Sequence, residues 1–229
     1  PNDSLIIYRL VKDAQGKGTG KFNSYGIMGK HGHGWGFGDI NRDGRGDLIV
    51  HNGWLEAPEK PFDGTWVFHP DFDFGTASIP ILVTDVNKDG LNDAIVGQAH
   101  GYGLDWYEQK VDNRTKKRSW TKHPIDPYNS QFHTTERADL DKKGKMELVT
   151  GKRYRAHNGH DPGGNDPVGI YYYKWNGESF SKQIISYGIF GEGKGTGLYI
   201  IFHDLTGSGK KDIIVAGKDG LYIFYNKPL

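Results

Sequence analysis

The 229-residue chain contains no cysteine, so no disulfide holds it together and thiols carry no information about its compartment. No apolar run approaches the roughly 20 residues that a membrane-crossing helix needs, which removes a helical span from the reading. An excess of one charge is also missing. Lys and Arg number 29 against 28 Asp and Glu, so the electrostatic footprint of a nucleic-acid binder is absent. Helical periodicity is lacking throughout. What is plentiful is glycine (34 residues) and aromatics (13%), the composition of many short strands joined by tight turns. The length suits one core and a single domain, 1–229. No signal peptide is visible, and an opening on Pro1 without Met is what removal of a leader leaves behind.

One stretch organises the rest: Asp39-Ile-Asn-Arg-Asp-Gly-Arg-Gly-Asp47. Oxygen-bearing side chains stand at its first, third, fifth and ninth positions (Asp39, Asn41, Asp43, Asp47), and a glycine at the sixth permits a sharp turn. The carbonyl of the seventh residue, Arg45, can then point inward. Oxygens converging from alternate residues of a tight loop suit a hard cation such as Ca²⁺. Asp85-Val-Asn-Lys-Asp-Gly-Leu-Asn-Asp93 repeats every ligand position, with Asp85, Asn87, Asp89 and Asp93 as side-chain ligands and Leu91 offering its carbonyl. Two weaker copies begin at Asp139 and Asp204. The third carries Lys143 where an acid is needed, and the fourth has Thr206 and Ser208 in place of charged or amide ligands. Two Ca²⁺ sites are therefore expected, at the first and second loops, with a lysine ammonium standing in for the ion elsewhere. The plain alternative is a turn rich in Asp and Gly. An EF-hand is excluded, because the twelfth loop position is Val50 or Val96 where a bidentate Glu belongs, and the flanks are short β-like runs.

These loops, with Gly36-Phe-Gly-Asp39 heading the first, resemble FG-GAP or VCBS-type repeats over nearly the whole chain. The resemblance implies an all-β fold, a β-propeller of four-stranded blades with Ca²⁺ in the loop joining strands A and B. The repeats fall near 31–76, 77–130, 131–190 and 191–229, after a partial blade at 1–30. The second blade is expected at Ile79–Val86, Ala94–Gly97, Gly103–Glu108 and Ser119–Ile125. The third is expected at Thr134–Leu140, Glu147–Thr150, Gly169–Trp175 and Ser179–Ser186. The first reads Trp35–Ile40, Leu48–Val50, a weak C strand near Trp54, and Thr65–Phe68. Ser4–Val11 and Lys21–Ile27 resemble strands C and D, and the far end supplies A, B and C before stopping. Either the N-terminal segment closes a ring of four or five blades, or the chain is a segment of a larger propeller of, for example, seven. Further domains are compatible with the second arrangement. Loops of this kind fill where Ca²⁺ is near millimolar, an extracellular or periplasmic setting.

Strand direction sorts the histidines. His31 and His33 precede the first A strand, and His133 precedes the third. His51 and His100 follow B strands, while His157 and His160 lie in a long insertion, 152–166. These seven map to the face opposite the cation loops, whereas His69, His123 and His203 do not. The insertion adds Arg153, Tyr154, Arg155, Asp161 and Asp166, and Tyr102 lies beside it in sequence order of the blades. Neutral imidazoles can bind a transition metal, and such groups can also hold an acidic or polyhydroxy ligand and move a proton next to a carbonyl. The bland account makes them satisfied core groups.

Histidines heading inner strands, His100-Gly101 opening a C strand and Trp120-Thr-Lys-His123 are similar to the propeller of fungal aldos-2-ulose dehydratases. That resemblance implies elimination of water from a keto sugar with a divalent metal. His33, His133, His100 and His157 would be ligands or bases, Arg153 or Arg155 would hold a developing enolate oxygen, and Tyr102 would join them. The expected function is a secreted carbohydrate lyase or dehydratase, with Zn, Mn or Mg at the histidine-rich face. The alternatives are a glycan-binding or adhesion module that stacks sugar on Tyr102, Trp35 and Tyr154, and a purely structural segment.

Overall fold

The computed structural model describes residues 4–30 and 32–227. Its regular structure is almost wholly antiparallel β, arranged as five consecutive sheets. The first pairs β1 (Ser4–Lys12) with β2 (Gly18–Lys30). Three four-stranded sheets follow, each running through its strands in sequence order. They hold β3–β6 (Trp35–Gly38, Asp47–Val50, Gly53–Glu56, Val67–His69), then β7–β10 (Leu82–Thr84, Asp93–Gly97, Tyr102–Val111, Arg118–Ser130), then β11–β14 (Phe132–Ala138, Glu147–Lys152, Val168–Trp175, Phe180–Gly188). The last has three strands, β15–β17 (Ile200–His203, Asp212–Gly217, Gly220–Phe224). Every strand expected from the sequence is present. The inner strand of the third sheet is shorter than expected, three residues in place of the eight of Ile79–Val86, because the loop Asp85 onward leaves the ladder at once.

The second strand of each sheet explains why the pattern was readable. In β8, Ala94 and Val96 turn toward the second sheet and Ile95 toward the fourth, so successive apolar residues serve successive interfaces. The core is accordingly a series of layers between neighbouring sheets. Ile40, Ile49, Trp54, Phe74 and Ile81 fill the first layer. Ile95, Leu104, Phe132, Tyr171 and Tyr173 fill the next, and Val149, Ile170, Ile200, Ile213 and Val215 the third. Burial on both faces turns β8 into an uninterrupted apolar run.

Inner strands of adjacent sheets touch directly. Gly36 bridges Ile81 in parallel, and the Ile81 N–H donates to the Trp35 carbonyl at 2.5 Å. A Cβ on Gly36 would collide with the Ile81 carbonyl oxygen, so this approach requires glycine. The two end sheets expose large apolar side chains, Phe22 at one end and Ile201, Leu221 and Ile223 at the other.

Candidate metal centre

Three imidazoles from three different sheets meet at one end of the strands. His33 lies just before β3, His100 in the turn from β8 to β9, and His133 is the second residue of β11. One ligating atom from each lies within 4.8 Å of the others. The His33 and His133 Nε2 atoms face each other at 3.1 Å. Two nitrogens on a tetrahedral Zn²⁺ at about 2.0–2.1 Å would stand roughly 3.3 Å apart, so little movement separates this geometry from coordination. The His33 ring crosses those of His100 and His133 nearly edge-on, each at 4.9 Å.

Hydrogen bonds fix the rings. His33 Nδ1–H donates to the Ala77 carbonyl at 2.8 Å, which leaves Nε2 bare in the neutral tautomer. The approach depends on Gly34, in the left-handed region at φ 96°, where a side chain would strike Ala77. His100 Nδ1 faces Asp161 Oδ2 at 2.9 Å, and His157 Nδ1 faces both Asp161 oxygens at 3.1 Å. Carboxylates holding the far nitrogen in this way orient ligating histidines in metal sites. Burial tends to raise the Asp161 carboxyl, but the bonds from His100 and His157 outweigh it and hold it below its usual range. Burial, followed by the Arg153 charge and the neighbouring rings, pushes His133 down to about 4. Burial lowers His33 as well, against the Ala77 bond. Both rings are thus neutral at pH 7, the state that ligates metal.

His157 comes from the insertion after β12, where a short 3-10 turn, Ala156–Gly159, holds left-handed backbone at Arg155, His157 and Asn158. Three such non-glycine residues together are costly and mark a segment shaped by its contacts. His157 stacks on His100 at 4.7 Å. Lys218 Nζ donates to the Arg155 carbonyl at 2.8 Å and ties the insertion to the last sheet.

The other expected site residues divide. Tyr102 donates its hydroxyl to Asp166 at 2.6 Å, and that bond raises its pKa, so it is a proton donor at neutral pH. Arg153 acts electrostatically on both His33 and His133. Arg155 does not join them: it is exposed, and its guanidinium reaches the Asn158 carbonyl. His51 packs beside Gly32 and Gly34, His160 is exposed in the insertion, and His31 lies outside the described residues. Tyr154 stacks on Phe190 at 3.9 Å. Two residues at this end had no role assigned from the sequence, Lys152 (1% exposed) and Gln131 (0% exposed). Their only signal was position, each ending or preceding a strand beside a histidine or arginine.

At the opposite ends of the strands, the first two loops have the turn geometry their spacing implies. Asp39 accepts the N–H groups of Asp43 and Gly44, Asn41 accepts that of Asp43, and Asp43 accepts that of Arg45. Asp85, Asn87 and Asp89 do the same for Gly90, Asp89 and Leu91. Asp85 Oδ1 is buried with no donor among the described residues, as a cation ligand would be. The ninth-position acids have a further task. Asp47 accepts the backbone N–H of Ile40 (2.8 Å) and of Ala57 (3.0 Å), and Asp93 accepts those of Val86 and Gln109. Asp212 does likewise for Leu205 and Asn226. In the first, second and fourth loops this acid is therefore a staple between the loop and the third strand, using both oxygens, whereas Glu147 of the third loop accepts only the Leu140 N–H.

A second acid faces each full loop. Asn41 Nδ2 donates to Glu56 and Asn87 Nδ2 to Glu108, both at 3.2 Å. His69 and His123 hold the other oxygens of these glutamates at 2.8 and 2.9 Å while stacking on Trp54 and Trp106. In the fourth sheet Lys174 takes the place of the glutamate, because Leu148 pairs with Tyr173 as Leu48 pairs with Leu55. Its ammonium lies 2.9 Å from Asp141 and 3.8 Å from Glu147, with Lys143 at 3.3 Å from Asp141. Asp139, Asp141 and Glu147 form a close acidic group, and lysine neutralises it. A cleft of about 610 Å³ opens beside this loop, floored by Trp175 and Phe180 and far along the strands from the imidazoles.

No family model matches the chain, and the search of curated proteins gave no match either.

Proposed function

We propose that the chain is a β-propeller, or a segment of one, built from FG-GAP or VCBS-type repeats, and that it acts on carbohydrate by elimination at a metal centre on His33, His100 and His133. The observation that carries this reading is the meeting of three imidazoles, each delivered by a different sheet, two of them with the far nitrogen committed to an acceptor. A core histidine needs only its own hydrogen bonds satisfied, and nothing in packing asks three to converge. Consecutive sheets with inner strands in contact support the propeller, and the turn geometry of 39–47 and 85–93 supports Ca²⁺ there.

The donor set fits a divalent transition metal, with the three rings as ligands and Asp161 behind His100. Bound there, such an ion supplies Lewis-acid stabilisation of an enolate oxygen. The chain's own groups cover the rest. His157 is solvent-facing, oriented by Asp161, and free at Nε2 to accept a proton from the carbon beside a carbonyl. Tyr102, held protonated, can donate to the departing oxygen.

Chelated wild-type protein titrated with Co²⁺ should bind one equivalent beyond the calcium sites, and His133→Ala should weaken that binding by about 100-fold or more while the urea midpoint moves little. Turnover of keto sugars or glycans should produce ultraviolet absorbance from a new conjugated double bond, and the variant should lose it. Wild type that binds no transition metal would remove this reading. The aromatic-floored cleft near Trp175 favours a second one, a non-catalytic glycan-binding module. In that case Trp175→Ala, not His133→Ala, abolishes glycan binding and no product forms.

A further inference from the structure

We infer that the ligand of the histidine cluster carries a carboxylate, and that Arg153 grips it through one edge of its guanidinium. The inference rests on the carbohydrate reading above and narrows it to acidic sugars, of which uronates are the natural class.

Arg153 follows β12 directly. Its backbone N–H donates to the Gln131 carbonyl at 3.1 Å, and the His133 N–H donates to the same carbonyl at 2.8 Å, so one oxygen sets both residues side by side. Gln131 holds left-handed backbone at φ 60° to present it. The Arg153 Nε and Nη2 atoms are buried, and neither has an acceptor among the described residues. Those two atoms lie along one edge of the planar guanidinium, spaced for the two oxygens of a carboxylate. A buried polar group without a partner calls for an explanation, and a buried charged pair of donors more so.

The neighbouring acids do not answer it. Asp161 serves His100 and His157, and Asp166 accepts the Tyr102 hydroxyl. Among the described residues no carboxylate lies within ion-pairing distance of Arg153, and Asp161 acts on it only from further away. Lys152 Nζ reaches the Arg153 carbonyl, at 3.5 Å, and offers the guanidinium no acceptor. The two donors of the buried edge match the two oxygens of a carboxylate, and no side-chain acid of the described residues is bound there. A neutral sugar hydroxyl could meet one of the two donors but leaves the charge uncompensated.

The test compares galacturonate, glucuronate and mannuronate trimers, their methyl esters, and a sulfated galactose, by calorimetry on the intact chain. Wild type should bind at least one acid trimer about tenfold or more tightly than its ester, since a site built to hydrogen-bond a group rejects the analogue lacking it. Arg153→Gln should erase that preference, bringing acid binding down to the level of the ester measured on the same variant. Arg153→Lys, which restores charge without the two-point edge, should recover only part, and guards against a fold defect in the first variant. Equal binding of acid and ester, no binding of any acid trimer, a preference that survives Arg153→Gln, or a sulfated sugar bound as well as the best acid would each overturn the proposal. Co²⁺ titration and product absorbance, read in parallel, separate it from the elimination reading: acid preference with no metal or no product would leave Arg153 standing and remove the chemistry.

Discussion

Replacing Asp47 by alanine isolates the stapling role of the ninth-position acid. The side chain is 0% exposed, and its two oxygens receive the N–H groups of Ile40 and Ala57, which are themselves 1% and 2% exposed. Alanine leaves both buried amides without their acceptor. Each stranded donor costs about 1–3 kcal/mol, so the pair costs about 2–6. Removing a carboxylate whose burial already raises its pKa gives part of this back, and a net loss of about 2–4 kcal/mol is expected. Against a total of about 5–15 kcal/mol for a domain, that is a large fraction. With a urea slope of about 2–3 kcal/mol/M, the midpoint should fall by about 1 M. Equilibrium unfolding followed by tryptophan fluorescence in EGTA removes any calcium contribution. Asp47→Asn keeps one acceptor and should fall between wild type and Asp47→Ala. Asp43→Ala, whose lost bonds are exposed, should shift the curve by less than about 0.5 kcal/mol under the same conditions. If Asp47→Ala stays within that margin, or Asp43→Ala matches it, the acid is a cation ligand and not a staple.

Three further outcomes are expected. The double variant Lys143→Asp, Lys174→Glu restores in the third loop the carboxylates that the first two possess, and its melting midpoint should become sensitive to EGTA while the wild-type third loop contributes nothing to such a shift. Burial tends to raise Asp126, but Lys182, Tyr173 and Asn129 outweigh it and hold its carboxyl below the usual range. Its contribution to stability is therefore full at neutral pH and lost as pH falls through the folded pKa, so Asp126→Asn should flatten the acid limb of a stability profile taken below about pH 4. Gly36→Ala drives a methyl into the Ile81 carbonyl and should cost about 1–3 kcal/mol or more in urea unfolding, where an alanine at Gly44, which has open space but φ 87°, should cost less.

Much of the sheet plan was legible because each feature has a local cause. The loop from Asp39 to Asp47 carries its turn in its own glycines, and β8 reads as Ala-Ile-Val because both its faces are covered. Strand direction placed His33, His100 and His133 on one face with four other histidines, and the dehydratase resemblance, not strand direction, singled them out with His157. What stayed hidden depends on register between strands. Glu56 and Glu108 face the loops only because Asp47 and Asp93 stand opposite them across a ladder, and Lys174 inherits that place in the fourth sheet. The staple could not be told from a ligand, since an aspartate accepts from an amide or from a cation with the same oxygens. Arg153 and Arg155 were equivalent on paper. Arg155, on left-handed backbone, is exposed and reaches the Asn158 carbonyl, while Arg153 is the one that acts on His33 and His133.

The sheets contribute unequally to the imidazole cluster, and none contributes enough alone. His33 belongs to the second sheet, His100 to the third, and His133 with its insertion to the fourth. Were the proposed ion bound, its occupancy would be a census of assembly: a fragment lacking any of those three members, or a chain in which one has come loose, would not bring the three imidazoles together. Metal affinity would then double as the most sensitive gauge of whether the whole stack is intact.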